Sequence, residues 1–171
     1  MRRLKLGLVT VGGIGHAPVA SGTFGSMPPV VMALLLVQSD QPLWLVNGCL
    51  VLMGLVFSMA CIRFGGLAES VYGRKDPGQV VADEIGGQCV ALLLLPWAAP
   101  DLEGALVWNV LLAVGAFLAF RFFDILKPPP ARNLERLKGG FGILVDDLIT
   151  GAMALVVMQV FSRVLLPIWW G

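Results

Sequence analysis

Two strongly apolar stretches, residues 104–120 and 148–169, run into a core of charge, proline and glycine that reads RFFDILKPPPARNLERLKGGFGILVDD from Arg121 to Asp147. Stretches of that length and character read as bilayer-spanning helices. The charges between them must then sit at a membrane edge or in a cavity, and that placement is usually functional. Asp124 and Lys127 stand three residues apart, on one face if the preceding helix continues that far. Pro128, Pro129 and Pro130 stop the helix, because proline has no backbone N–H and disfavours helical geometry in the residue before it.

Composition supports a membrane protein. Of 171 residues 57% are hydrophobic and only 13% charged, with a mean hydropathy of +0.85, against roughly 25% charged in soluble domains. One domain covering residues 1–171 is the default for this length. A formal net charge of +1 gives no sign of a nucleic-acid partner. Cys49, Cys61 and Cys89 lie in apolar segments without C-x-x-C spacing, which indicates neither a disulfide framework nor a zinc site.

The N-terminal stretch MRRLKLGLVTVGGIGHAPVASGTFGSMPPV is broken by glycines and shows no cleavable signal after its basic start. Its glycines and prolines read as an irregular loop. There Gly22 and Gly25 would turn backbone N–H groups toward an anion, and Thr23 and Ser26 would add hydroxyls. His16, the single histidine, has no second ligand at metal spacing and reads as a loop residue. Residues 29–37 are apolar but too short to span alone, and are expected as a partly buried or re-entrant helix. Residues 42–62 form the cleanest span, about 31 Å long at about 1.5 Å per residue. A polar connection follows, then an apolar run to Pro100 headed by Asp83 and Glu84, where a helix start tolerates negative charge. The last span is expected from about Gly142 to residues 167–170, with Trp169 and Trp170 as an interfacial anchor.

Basic residues fall in three regions: Arg2, Arg3 and Lys5; Arg63, Arg74 and Lys75; and Arg121, Lys127, Arg132, Arg136 and Lys138. The remaining links carry Asp40, Asp101 and Glu103. If residues 29–37 cross or pair as a crossing element, all three basic regions share one side, which the positive-inside rule makes cytoplasmic. The glycine-rich loop and five carboxylates, Asp83, Glu84, Asp124, Asp146 and Asp147, then face the same compartment. An Asp at the centre of a spanning helix costs roughly 2.5–3.5 kcal/mol. The Asp146–Asp147 pair is therefore expected about one turn inside the membrane edge, compensated by a cation or by Lys127. Hard oxygen ligands without His or Cys companions favour Mg2+. Adjacent acids on a helix diverge by about 100°, so one of each pair would meet the metal and its neighbour would support or cap.

The segments GHAPVASGTFGS, DPGQVVADEIGG, FRFFDILKPPPAR and GGFGILVDDLITG together resemble, in order and spacing, the bacterial phosphatidylglycerophosphatase A family. The resemblance runs from about Gly12 to about Gly151, and the pairing of D-x-x-K-P with G-G-x-G-I-x-x-D-D is specific to it. It implies an all-α membrane bundle with several helices around a central one. It also implies a Mg2+-dependent phosphatase of the bacterial cytoplasmic membrane that converts phosphatidylglycerophosphate to phosphatidylglycerol and phosphate. One departure is visible: Ser21-Gly22-Thr23 stands where the family pattern has P-G-T.

The residues agree with such chemistry. A phosphate monoester carries about two negative charges near pH 7, so carboxylates alone would repel it. Mg2+ reverses that sign and assists water or the leaving oxygen. Lys127, with Arg121 or Arg132 as weaker candidates, would hold phosphate oxygens, with Gly22, Thr23, Gly25 and Ser26 beside them. Among Asp83, Glu84, Asp124 and Asp147, one carboxylate would act as general base toward water or as nucleophile through an acyl-phosphate. Two other classes stand against this reading: a small transporter, since intramembrane acids also mark ion routes, and a non-catalytic module whose acids only cap helices. The acids cluster at one edge, not along a path, and lack evident partners in their own segments.

Overall fold

A computed structural model describes residues 2–131 and 139–165. Arg132, Arg136, Lys138, Trp169 and Trp170, which the sequence reading assigned to a basic edge and an aromatic anchor, lie outside the described residues. The described residues are helical, without strands: α1 (Arg2–Val9), a 3-10 turn (Val11–His16), α2 (Ser21–Gln38), α3 (Leu43–Tyr72), α4 (Ala82–Leu92), α5 (Ala105–Leu126) and α6 (Gly139–Val160), which runs into a π turn (Phe161–Leu165). Four stretches are long and apolar enough to cross a membrane: Ser21–Gln38, Leu43–Tyr72, Ala105–Leu126 and Gly139–Val164. Their outer faces expose Leu55, Leu106, Leu118 and Val156 at 59–63%, a surface that belongs against lipid.

Helix α4 is the central element. It packs on α2, α3, α5 and α6, and every residue in it except Glu84 and Val90 is buried. Only small residues permit such an approach. A Cβ on Gly87 would stand 2.5 Å from the Asp147 carbonyl oxygen, and one on Gly151 would strike the Gly87 carbonyl. The α4 and α6 backbones therefore touch, as small residues allow between membrane helices. Gly65 and Gly140 bring α3 against α6 in the same way, with the Gly140 position set against the Cys61 carbonyl.

Three sequence expectations change. The glycine-rich stretch is an irregular loop only as far as Ala20: the helix α2 starts at Ser21 and continues through Pro28 and Pro29 to Gln38. Its 18 residues span about 27 Å at about 1.5 Å per residue, so the helix is longer than the expected segment 29–37 and is long and apolar enough to cross a membrane. Glycine at 22 and 25 marks packing there, not a chain break. Helix α3 does not stop at the membrane edge near Ile62 but runs on for about 15 Å to Tyr72, closed by Gly73 at φ 70°. Conversely, the apolar run headed by Asp83 is helical only to Leu92.

The chain beyond α4, residues 93–104, returns to the start of α5 without helical hydrogen bonding. Inside a bilayer such backbone must be satisfied by protein, and here side chains of three spans supply the partners. Asn47 Oδ1 accepts the Leu94 N–H at 2.8 Å. Asn109 accepts the Ala98 N–H at 2.8 Å and donates to the Ala98 carbonyl at 2.9 Å. Trp108 donates to the Pro96 carbonyl, and Gln159 and Arg163 to the Leu94 carbonyl, at 2.8–3.0 Å. Arg163 thus lies at the end away from Asp83, a basic residue that the sequence reading left out of its count.

Candidate active site

Five helix termini meet at the other end: the starts of α2, α4 and α6 and the ends of α3 and α5. Ser21 donates its hydroxyl to the Gly78 carbonyl at 2.6 Å, and the Val81 N–H bonds the Val9 carbonyl at 2.9 Å. These contacts fix the N-terminus of α2 and the end of α1 against the connection into α4. Gly15 completes the junction, because a Cβ there would run into the Gln79 backbone.

Asp83 and Glu84 occupy the first turn of α4 but do not cap it, since the capping position is Val81 and no side-chain cap bond is made. Glu84 points at α2. A Cβ on Gly22 would collide with Glu84 Oε1, and one on Gly25 would stand 2.5 Å from Oε2. The two glycines therefore open the space that the carboxylate fills. From α5, Arg121 Nη1 reaches Asp124 Oδ2 at 2.8 Å and Glu84 Oε1 at 3.7 Å. Neither approach is aligned as a hydrogen bond, and the Nε and Nη1 atoms are buried without a hydrogen-bond partner.

Helix α5 ends at Leu126, and Lys127 turns into the left-handed region at φ 43° ahead of Pro128. That conformation is uncommon for a residue with a side chain and is held only where the surroundings fix it. It carries the Lys127 ammonium to Asp146 Oδ2 at 2.6 Å. The Lys127–Asp146 pair is the compensation expected for the acids of α6, whereas Asp124 pairs with Arg121. Asp146 and Asp147 are 2% and 3% exposed, and Asp83 is 6%. Asp83 lies within electrostatic reach of Glu84, Asp76 and Asp146, and Asp147 within reach of Asp83, Asp124 and Glu84.

All five carboxylates singled out from sequence gather here, with Arg121 and Lys127 among them. The hydroxyl-bearing residues are placed differently. Ser26 is fully buried and donates to the Gly22 carbonyl at 2.8 Å, one turn back in its own helix. Thr23 is half-buried in the first turn of α2, its N–H bonded to the Ala20 carbonyl at 2.9 Å. His16 pairs with the Tyr72 hydroxyl at 3.1 Å, tying the 3-10 turn to the end of α3. Asp76 is a sixth acid that sequence reasoning passed over. It is exposed, takes φ 44° just before Pro77, and lies within electrostatic reach of Glu84 as well as Asp83. Its signal was present in the D-P-G step that leads into A-D-E-I-G-G.

Asp83 Oδ1, Glu84 Oε2, Asp146 Oδ1 and Asp147 Oδ2 are buried without a hydrogen-bond partner. Leaving such atoms unpaired costs about 1–3 kcal/mol each, more for charged groups. Oxygen donors left open in this number suit a hard divalent cation such as Mg2+. Among the described residues no three His, Cys, Asp or Glu side chains stand close enough to share one ion. The fit therefore lies in the donor chemistry and not in a finished cage.

A bundle of spans that collects buried carboxylates and two basic side chains at one membrane edge belongs to the membrane enzymes that act on anionic groups at that edge. The profile of the family described as Phosphatidylglycerophosphatase A matches residues 7–162, and the chain belongs to that family, one of phosphatases. A protein of Haemophilus influenzae named Phosphatidylglycerophosphatase A is 35% identical over 88% of this chain and 85% of its own length. One of the same name from Escherichia coli is 29% identical over 89% of this chain and 83% of its own. A Bacteroides thetaiotaomicron protein, named as a candidate phosphatidylinositol-3-phosphatase, is 34% identical over 86% and 87%. No solved structure matches the chain.

Proposed function

We propose that this chain is a Mg2+-dependent lipid phosphatase that hydrolyses phosphatidylglycerophosphate to phosphatidylglycerol and phosphate at the cytoplasmic face of a bacterial inner membrane. The observation that carries the reading is the set of buried carboxylate oxygens without partners on α4 and α6, facing Arg121 and Lys127 at one end of the spans. The relatives named for phosphatidylglycerophosphatase supply the substrate, and the one named for phosphatidylinositol-3-phosphatase shares its chemistry, a phosphate monoester on a phospholipid head group.

Asp83, Glu84, Asp124, Asp146 and Asp147 are the residues that would hold the cation. A bound Mg2+ would neutralise the phosphate dianion and polarise the attacking water. The chain's own groups do the rest. Arg121, ion-paired with Asp124 through Nη1, sets its guanidinium next to Glu84, and a guanidinium is a group that can bind phosphate oxygens. Lys127 adds a second positive charge from the end of α5. Gly22 and Thr23, in the first turn of α2, bring the positive end of that helix toward the same anion. One carboxylate accepts a proton from water as its oxygen bonds to phosphorus. The bond from phosphorus to the glycerol oxygen breaks, and that oxygen leaves as an alcohol after taking up a proton. Burial at the membrane edge keeps bulk water from competing with these contacts.

The test is phosphate release from phosphatidylglycerophosphate by the purified protein in detergent, with Mg2+ and with excess EDTA, beside the Asp124→Asn variant. Release that needs the metal and is lost in the variant supports the reading. Absence of release from a well-folded preparation under any divalent metal would overturn it.

A further inference from the structure

We propose that the groove between α3 and α6, floored by α4, holds one acyl chain of a phospholipid whose head group lies at the carboxylate end; this rests on the lipid-phosphatase reading above. The groove has a cavity volume of about 340 Å³ and a lining that is almost wholly apolar, with Ser58 and the glycines Gly54 and Gly86 as its smallest members. Its rim residues Leu55, Ile62 and Phe141 are exposed at 42–63%, so it opens sideways toward the surroundings of the bundle.

Three features select an acyl chain over a protein helix. The first is length: along α3 the groove runs from Leu50 to Ile62, about 18 Å at about 1.5 Å per residue. One leaflet of a bilayer core is about 15 Å deep, half of about 30 Å. The second is continuity with the site. On α4, Asp83 precedes Gly86 and Val90 at i+3 and i+7, so the acid and the groove share one face of the helix. On α6, Leu144 stands three residues before Asp147 and lines the groove. Cys61, next to the rim residue Ile62, is within electrostatic reach of both Asp83 and Asp147. A chain entering at the carboxylate end therefore needs no break between polar and apolar contacts. The third is the floor: a Cβ on Gly86 would stand 2.9 Å from Ser58 Oγ and one on Gly54 3.3 Å from Cys89 Cβ, so α3 and α4 already touch beneath the groove and leave no room for a further helix to sink between them.

The test compares hydrolysis of a long-chain diacyl phosphatidylglycerophosphate with that of a water-soluble dihexanoyl analogue in mixed micelles, and maps a photoactivatable phosphatidylglycerol with its diazirine near the chain end. Ser58→Phe, on the floor, and Leu55→Trp, at the rim, should lower the ratio of long-chain to short-chain kcat/KM at least tenfold. Leu111→Trp, on the outer face of α5, should leave the ratio as it is. The photolabel should concentrate on Val51, Val90 and Leu93, at the end of the groove away from the carboxylates. An unchanged ratio in a stable Leu55→Trp protein, or label spread evenly onto α5, would overturn the groove. So would a photocrosslinked peptide from a second protein found in it. If the wild-type protein hydrolysed neither substrate, the phosphatase reading would fall, while the label map would still decide the groove.

Discussion

Gly22 acts through its neighbours. A methyl group there meets the far ends of Glu84 and Arg121, which are flexible, and not backbone. Gly22→Ala should therefore move the carboxylate and guanidinium while the fold adjusts. The expected outcome is a loss of turnover of at least tenfold with a Tm shift of less than about 4 °C, the equivalent of about 1 kcal/mol. Gly140→Ala should behave in the opposite way, because its added methyl strikes the Cys61 backbone; detergent-stable yield should fall before kcat is affected. Asp124→Asn and Asp147→Asn should each lower kcat by at least a hundredfold, within the range of about 10²–10⁴ for lost acid–base groups, with membrane insertion retained. Asp101→Asn, at the far end of the bundle, should stay within about twofold, and an effect as large as that of Asp124→Asn would sink the site assignment. Lys127 is a test of coupling. Removing it as Lys127→Met leaves Asp146 buried and unpaired, a loss toward the lower end of about 3–5 kcal/mol because the lysine is partly open to solvent. The double variant Lys127→Met/Asp146→Asn should regain most of that stability in thermal unfolding and none of the activity.

At the scale of elements, the least regular segment depends on the most specific side chains. Asn109 is fully buried and holds both the N–H and the carbonyl of Ala98. Asn109→Leu strands both groups, at about 1–3 kcal/mol each, so thermal unfolding should come several degrees earlier while kcat of the surviving protein changes little. The sequence signals divide along the same physical line. Spans were legible because apolar length is a property of the segment itself, and the clustering of Asp83, Glu84, Asp124, Asp146 and Asp147 followed from charge at the edges of those spans. Helix α2 was not, because glycine and proline are breakers in water but contact residues in a packed membrane helix, where neighbours replace the lost bonds. The end of α4 as early as Leu92 was also hidden: Pro96 marks a break further on, but nothing in the leucines before it shows where the helix stops until Asn47, Asn109 and Gln159 arrive from other spans. Ser26 looked like an anion donor for a related reason, since only the helix around it shows that its hydroxyl bonds the Gly22 carbonyl.

For the whole molecule, the decisive quantity is which way the bundle faces. Arg2, Arg3, Lys5, Arg63, Arg74, Lys75, Arg121 and Lys127 belong to the carboxylate end, while the far end has Asp40, Asp101 and Glu103 in its links and Arg163 tied to the Leu94 carbonyl. Under the positive-inside rule that asymmetry is the ground for the proposed cytoplasmic placement of the carboxylate end. Of the native cysteines, Cys61 and Cys89 are buried and only Cys49 is half-buried, so a Cys49→Ser background should be silent toward a membrane-impermeant maleimide. Arg74 and Asp101 are both exposed and at opposite ends. Arg74→Cys should then label only in inverted membrane vesicles and Asp101→Cys only in right-side-out ones. The reversed pattern would place the carboxylates on the outer face and overturn the proposed cytoplasmic site. Labelling of both positions from one side would rule out the bundle's crossing order, because α5 alone separates the link carrying Asp101 from the end that carries Arg121.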